Sequence, residues 1–320
     1  MSLCVNVQSC FLQDFFLFMI QTFSLTLPKK KCVEQGISVS IYRGDLEHPA
    51  APGNKWHKLK YNIDYAKKLG LTHVISFGGP YSNHLHALAN ISHSVSLQAV
   101  AIVRGELHPT LTPTLRDFVQ QGGILWPSQR RDYTLGIESD LAKQITAFYP
   151  NAYWVPEGGS NALGIAGCYD WAEQILQQET VPQQQFDTWV LSAGTGATCA
   201  GFLAHPHSPE LLVFPALKKG ENLLPTINAF ALKQNTNSQL DKLSIIADYH
   251  HGGYAKFPVE LQEYVKQIHQ LNPNVKLDPV YTAKVVYGLE QEIRKGRLKN
   301  KKLLIIHTGG LQGWSGFNQY

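Results

Sequence analysis

The chain has 320 residues, 44% of them hydrophobic and 16% charged, with a formal net charge of +4. That balance excludes wholesale disorder, and the length exceeds what one hydrophobic core ordinarily supports, so two lobes are expected. The basic clusters at Lys29-Lys30-Lys31 and between Lys299 and Lys302 have no interleaved aromatics, and they read as solvated surface rather than a nucleic-acid footprint.

Near the N-terminus, Phe11 to Ile20 is apolar but interrupted by Gln13 and Asp14. It is too short to span a bilayer and lacks the basic lead and small-residue cleavage site of a secretory signal. It reads either as a loose lead segment or as a helix packed on a partner subunit. From Ile37 onward strands and helices alternate. Ile37 to Tyr42 is strand-like. Trp56, Leu59, Ile63 and Ala66 then recur at helical spacing, with Gly70 placed as a C-terminal cap.

A strand over His73 to Phe77, a helix from Ser82 and a strand over Leu97 to Val103 follow. Next come a helix from Pro113 to the Gly122-Gly123 stop, a strand over Ile124 to Trp126, a helix over Tyr133 to Phe148 and a strand over Tyr153 to Val155. Ser160 is placed to cap the helix carrying Leu163, Ala166, Cys168, Trp171 and Ile175. After a Gln-rich linker around Gln183 to Gln185, the strand-like runs are Thr188 to Leu191, Leu211 to Phe214, Leu243 to Ala247 and Leu303 to Ile306. This alternation predicts an α/β fold of two lobes, each an open, mostly parallel sheet with helices on both faces.

The five cysteines (Cys4, Cys10, Cys32, Cys168, Cys199) show no CxxC spacing and are odd in number, which points to reduced thiols in a cytoplasmic protein. Among thirteen histidines, the pairs His84/His86, His205/His207 and His250/His251 lack the spacing of a helical zinc site. No metal is expected.

Three glycine-rich loops follow strand-like runs: Phe77-Gly78-Gly79-Pro80-Tyr81-Ser82-Asn83-His84, Ser192-Ala193-Gly194-Thr195-Gly196-Ala197-Thr198 and His307-Thr308-Gly309-Gly310. Loops at the carboxyl ends of parallel strands are where open α/β sheets bind ligands. In the second loop, small residues let N–H groups converge on an anion. The following helix adds its positive end, and Thr195 and Thr198 add hydroxyls. No Gly-Lys-Ser/Thr follows, and Cys199 stands where a dinucleotide fingerprint needs its third glycine. A monophosphate therefore suits this loop better than a nucleotide; a plain strand-to-helix turn is the alternative.

Lys55 lies in Pro52-Gly53-Asn54-Lys55-Trp56-His57-Lys58-Leu59. Lys55 and Lys58 share one helix face, while Trp56 and Leu59 mark the buried side. Lys55, Lys58 and Lys60 read either as a solvated face or, for Lys55 near the helix start, as a desolvated amine able to condense with an aldehyde. Ser82, Asn83 and His84 open a helix where N–H groups and short polar side chains suit a carboxylate. A plain helix cap is the alternative reading of Ser82 or Asn83, and of Thr282 after Tyr281.

Six motifs occur in one order: Gly53-Asn54-Lys55-Trp56-His57-Lys58-Leu59, Ser82-Asn83-His84, Pro156-Glu157-Gly158-Gly159-Ser160-Asn161-Ala162-Leu163-Gly164, Gly194-Thr195-Gly196-Ala197-Thr198, Asp278-Pro279-Val280-Tyr281-Thr282 and His307-Thr308-Gly309-Gly310. Together, over roughly Ile37 to Gly310, they resemble the 1-aminocyclopropane-1-carboxylate deaminase / D-cysteine desulfhydrase family. That family belongs to the tryptophan-synthase-β-like, fold type II pyridoxal-phosphate enzymes.

The resemblance implies pyridoxal 5'-phosphate as cofactor, a small amino-acid substrate and a homodimer. It implies a larger cofactor-binding lobe of residues 1–57 and 161–320 and a smaller lobe, 58–160, that closes over the substrate. Lys55 looks like the residue that holds the cofactor covalently and later moves the α-proton. Asn83 is implied to contact the cofactor's phenolic oxygen, Thr195, Gly196, Ala197 and Thr198 its phosphate, and Thr282 its pyridine nitrogen, with Thr308 also at the cofactor. Ser82, Asn83 and His84 look like the substrate-carboxylate pocket. Tyr254 and Tyr281 resemble the hydroxyls flanking the reacting amino acid, Tyr281 in a catalytic role.

In the deaminase branch a glutamate follows that tyrosine, so Thr282 resembles the desulfhydrase branch. The implied reaction is α,β-elimination of D-cysteine to pyruvate, sulfide and ammonia. The alternatives are ring opening of 1-aminocyclopropane-1-carboxylate to 2-oxobutanoate and ammonia, or a non-catalytic ligand-binding relative. The chain departs from the family at His57, where an arginine is usual, at Pro52, which replaces the first of two glycines, and at Gly44, where an acidic residue is common.

Overall fold

The computed structural model describes residues 19–179 and 185–317. Its strands are β1 (Ile20–Thr22), β2 (Ser38–Tyr42), β3 (His73–Gly78), β4 (Gln98–Arg104), β5 (Ile124–Ser128), β6 (Ala152–Val155), β7 (Thr188–Ala193), β8 (Glu210–Pro215), β9 (Leu243–Ile245) and β10 (Lys302–Ile306). Six of them form one sheet in the order β1-β2-β10-β7-β8-β9, and four form a second, β5-β4-β3-β6. Every pairing is parallel except β1 with β2. The fold is therefore α/β and mostly parallel, as the alternation predicts.

Period-two alternation divides the larger sheet's core between its faces. Leu303 and Ile305 of β10 pack with Leu261, Val265 and Ile268 of the helix Val259–Leu271 and with Val286 and Leu289 of the helix Thr282–Arg294. Leu304 and Ile306 pack the other way, against Trp171 and Ile175 of the helix Ala162–Gln178 and Phe202 and Leu203 of the helix Ala197–Ala204. Both faces are thus covered, which is why Trp189-Val190-Leu191 in β7 reads as an unbroken apolar run. The smaller sheet is covered on one face by the helices Asn54–Lys68 and Asn83–Ser94 through Leu59, Ile63, Leu85 and Leu88, and on the other by Ile145 against Ile75 and Ile102.

The helix Asn54–Lys68 also packs closely on Ala162–Gln178. A Cβ at Gly167 would lie 1.8 Å from the His57 carbonyl oxygen, so the small residue there sets the approach of the two backbones. This contact fixes the helix that carries Lys55.

Three details differ from the sequence reading. Tyr133 to Phe148 is two helices, Arg130–Leu135 and Asp140–Phe148. The break falls at Gly136, with φ +59°, and Ser139 Oγ caps the second helix by accepting from the Ala142 amide at 3.1 Å. Asn161, not Ser160, caps the next helix; its Oδ1 accepts from the Gly164 amide at 2.9 Å. Finally, β1 is an edge strand that sequence periodicity does not show. The Phe11 to Ile20 segment lies outside the described residues apart from Met19 and Ile20, as do Cys4, Cys10, Gln183 and Gln184.

Candidate active site

The carboxyl ends of β3, β7 and β10 open onto one cavity of about 700 Å³. Lys55, Ser82, Asn83, His84, Thr195, Gly196, Thr198, Tyr254, Tyr281 and Thr308 all line it. Two of the residues singled out from sequence do not: Ala197, in the first turn of its helix, and Thr282 are both buried and absent from the lining.

Lys55 is the second residue of its helix, and its Nζ donates to Asn54 Oδ1 at 2.7 Å. Burial, reinforced by the nearby Lys58 cation, lowers its pKa from 10.5 to about 7. A substantial fraction of this amine is therefore neutral and nucleophilic near neutrality.

Two neighbours correct the helix-face reading. Lys58 is only 4% exposed and lines the cavity, and burial lowers its pKa too; no carboxylate is paired with it among the described residues. The supposed buried marker Trp56 is partly exposed and stacks on His48, with ring centroids 3.9 Å apart. The face carrying Lys55 and Lys58 is polar because it lines a cavity inside the protein.

His57 points the other way. Its Nε2 lies 2.6 Å from Glu47 Oε2 and its ring stacks on Trp171 at 4.5 Å. Glu47 Oε1 accepts from Trp171 Nε1 at 2.7 Å and from the Tyr42 hydroxyl. Through Glu47, His57 thus ties the Lys55 helix to Tyr42 of β2 and to Trp171. Replacing Glu47 with alanine should destabilise the fold by about 3 kcal/mol, because three buried polar partners lose their acceptor; urea denaturation measures this.

On the smaller sheet, Ser82 does cap its helix, its Oγ accepting from the Leu85 amide at 3.2 Å. Asn83 is buried and its Oδ1 has no partner. His84 Nε2 meets Ser76 Oγ at 2.8 Å while Nδ1 is unpartnered. Burial, with the Lys55 and Lys58 cations, lowers its pKa to about 3, so it stays neutral.

Gly196 adopts φ +85° at the N-cap of Ala197–Ala204, and Gly196, Thr198 and Cys199 line the cavity where that helix begins. Thr195 Oγ1 accepts from Ser160 Oγ at 2.6 Å, and Thr198 Oγ1 accepts from Asn54 Nδ2 at 3.1 Å. The loop is thereby tied to the residue next to Lys55.

At the helix Thr282–Arg294, the capping side chain is Asp278, which accepts from the amides of Val280, Tyr281 and Thr282 at 3.1, 2.7 and 2.7 Å. Thr282 is not the cap. Its Oγ1 is buried and unpartnered. Tyr281 and Tyr254 meet edge to face at 6.2 Å and share a hydrogen bond; burial raises the pKa of both phenols, and the neighbouring Tyr254 adds to the rise at Tyr281.

Sequence reasoning missed Lys58 and the opposite rim. There Arg104 sits 5.7 Å above the Tyr133 ring, and the Tyr133 hydroxyl donates to Glu157 Oε1 at 2.6 Å. Arg104 and Glu157 line the cavity. Arg104 ends β4, so the strand-end rule that found the three loops would also have found it. Among the described residues, no group of three or more His, Cys, Asp or Glu side chains could hold a metal ion.

No family model matches the chain. A Thermotoga maritima protein provisionally named 1-aminocyclopropane-1-carboxylate deaminase is 29% identical over 298 residues, which cover 89% of this chain and 92% of that protein. A mitochondrial Arabidopsis thaliana protein named bifunctional D-cysteine desulfhydrase/1-aminocyclopropane-1-carboxylate deaminase is 29% identical over 307 residues, covering 87% of this chain and 73% of its own. The crystal structure of an ACC deaminase homologue superposes with a TM-score of 0.76 at 27% identity, covering 92% of this chain and 90% of that one. Serine racemase from Dictyostelium discoideum, with a TM-score of 0.62 at 13% identity over 91% of this chain and 93% of its own, shares the fold. By sequence and by fold, this chain is a relative of the 1-aminocyclopropane-1-carboxylate deaminase / D-cysteine desulfhydrase family.

Proposed function

We propose that the protein is a pyridoxal-phosphate-dependent enzyme that converts a small amino acid by α,β-elimination, with D-cysteine and water giving pyruvate, sulfide and ammonia. The observation that carries this reading is the amine of Lys55, brought to about pH 7 in the cavity that the 195–198 loop also lines. The chain's own groups fit the cofactor. The first-turn amides of Ala197–Ala204, with Thr195, Thr198 and the buried cation of Lys58, suit a phosphate. The unsatisfied Asn83 Oδ1 is a buried polar atom in the cavity lining that needs a partner; a ring substituent of the cofactor would supply it, and the family resemblance is what assigns Thr282 to the ring nitrogen. When bound, pyridoxal phosphate supplies the electron sink that makes the substrate's α-proton removable.

The protein's contribution is placement and proton transfer. Lys55 removes the α-proton once substrate has displaced it. Ser82, Asn83 and neutral His84 hold the carboxylate at the start of their helix. Tyr254 and Tyr281, both protonated, donate to the reacting amino acid and exclude water from it. The segment 58–160 closes over the substrate. A homodimer in the cytoplasm completes the proposal, supported by the family resemblance and by the free thiols Cys32, Cys168 and Cys199. No helix among the described residues is long and apolar enough to cross a membrane.

The purified protein should be yellow, and borohydride should fix the cofactor to Lys55, as peptide mass mapping would reveal. Incubation with D-cysteine should release sulfide. Release of 2-oxobutanoate from 1-aminocyclopropane-1-carboxylate alone would replace elimination with ring opening, and a colourless protein that cannot be reconstituted would mark a non-catalytic relative. Thr282→Glu should shift the bound cofactor's absorbance and lower sulfide release roughly tenfold, the scale of one hydrogen bond.

A further inference from the structure

Lys284 is completely buried in the helix Thr282–Arg294, one turn beyond Tyr281. Its Nζ donates to the Gly253 carbonyl oxygen at 2.7 Å and reaches the Ala216 carbonyl oxygen at 3.4 Å. Among the described residues no carboxylate forms an ion pair with it; Asp278 is the acid whose field it feels. Burying an ammonium against carbonyls alone is costly, and methionine, of similar length, would fill the same space without that cost. The amine therefore serves something other than packing.

Its partners say what. Gly253 O belongs to the peptide that leads into Tyr254, so gripping it fixes the plane from which the Tyr254 side chain departs. Ala216 follows β8, its amide donates to the Ala193 carbonyl at 3.0 Å, and Ala193 precedes the Gly194–Thr198 loop. One ammonium thus joins the segment carrying Tyr281, the β8 exit and the loop carrying Tyr254. That loop needs an outside tie. His251, Gly252, Gly253 and Ala255 all have positive φ, at 51°, 95°, 113° and 54°, and His251 and Ala255 are strained in that region. Its backbone closures are short turn bonds, Gly253 N to His250 O at 3.0 Å and Lys256 N to Gly253 O at 3.2 Å.

We propose that Lys284 is a positioning residue that holds the Gly253–Tyr254 peptide, and through it sets the Tyr254 hydroxyl against Tyr281 in the cavity. The proposal deepens the functional reading above and rests on it for its kinetic arm. The experiment compares Lys284→Met, Tyr254→Phe and the double variant with the wild type, measuring hydrogen exchange of amides 250–256, cofactor fixation by borohydride, and kcat and KM for sulfide release from D-cysteine.

Lys284→Met should accelerate exchange in 250–256 and retain the borohydride-fixed cofactor. It should lower kcat about tenfold, and the double variant should be no slower than Tyr254→Phe alone, the non-additivity of two residues acting through one contact. If Lys284→Met does not fold, Lys284→Gln, which keeps an N–H donor on a shorter stem, carries the same comparison with a smaller loss. Unchanged exchange would overturn the proposal, and so would kinetic losses that multiply in the double variant. A wild type that fixes no cofactor would sink the functional reading instead, while the exchange comparison would still decide whether Lys284 holds the loop.

Discussion

Replacing Lys55 with alanine should leave a folded protein that fixes no cofactor under borohydride and eliminates sulfide about 10³–10⁴-fold more slowly, the scale of a lost general base and covalent anchor. The fold should survive because Lys55 is no member of the apolar core and its amine hydrogen-bonds its own neighbour, Asn54. The phosphate end of the site should survive as well. Thr195, Thr198 and Lys58 are untouched, so a weak, non-covalent yellow complex is expected. Loss of all cofactor binding together with loss of thermal stability would show that Lys55 is structural and would remove the basis of the proposed chemistry.

The same amine gives a pH signature with a definite sign. Its pKa falls from 10.5 unfolded to about 7 folded. Between those values the unfolded chain binds the extra proton, so stability rises with pH across about 7 to 10.5, and the full cost of burying the charge is borne below 7. Lys284, lowered to about 8, acts with the same sign over a narrower window. Urea midpoints of the cofactor-free protein at pH 7 and pH 9 should therefore rise for the wild type and rise less for Lys55→Ala. A midpoint that falls over this interval in the wild type alone would contradict the placement of the amine.

What the sequence revealed and what it hid follow from how local each signal is. The strands of the sheet interiors were legible because burial on both faces demands unbroken apolar runs such as Trp189-Val190-Leu191 and Leu303 to Ile306. Strand β1 was not legible: three residues containing Gln21 and Thr22 become a strand only by pairing with β2. The cap of the helix Ala162–Gln178 was placed one residue early, at Ser160 instead of Asn161, because the choice between two adjacent capping types rests on backbone geometry. The glycine-rich loops were visible through their composition, and Lys55 through the loops around it. Lys58 was hidden because a lysine three residues along a helix looks the same whether that face meets solvent or a closed cavity. The capping role of Asp278 was obscured by Thr282, whose residue type suits a cap while its hydroxyl is free. Lys284 has no local signature at all, since its partners lie 31 and 68 positions away in sequence.

Gly53→Ala should be severely damaging for a single-methyl change, and its cause lies in the backbone. Gly53 adopts φ 69°, ψ −145°, a region closed to residues with a side chain. An added Cβ would lie 2.2 Å from the Thr308 carbonyl oxygen, 2.3 Å from its carbon and 2.6 Å from the Gly309 nitrogen. None of these atoms can rotate away. The strain and the overpacking each cost about 1–3 kcal/mol, so a loss of roughly 2–6 kcal/mol is expected in urea denaturation. The same contact sets the direction of Lys55. Asn54 donates its amide to Thr308 O at 3.2 Å and its side chain to Thr198 Oγ1, so prising Gly53 from the 307–310 turn swings the start of the helix away from the phosphate loop. Folded Gly53→Ala protein recovered at low temperature should therefore show cofactor fixation at Lys55 reduced by an order of magnitude or more. Full fixation in such a protein would mean that the lysine is placed by its helix alone, and that the close approach of the two turns serves stability only.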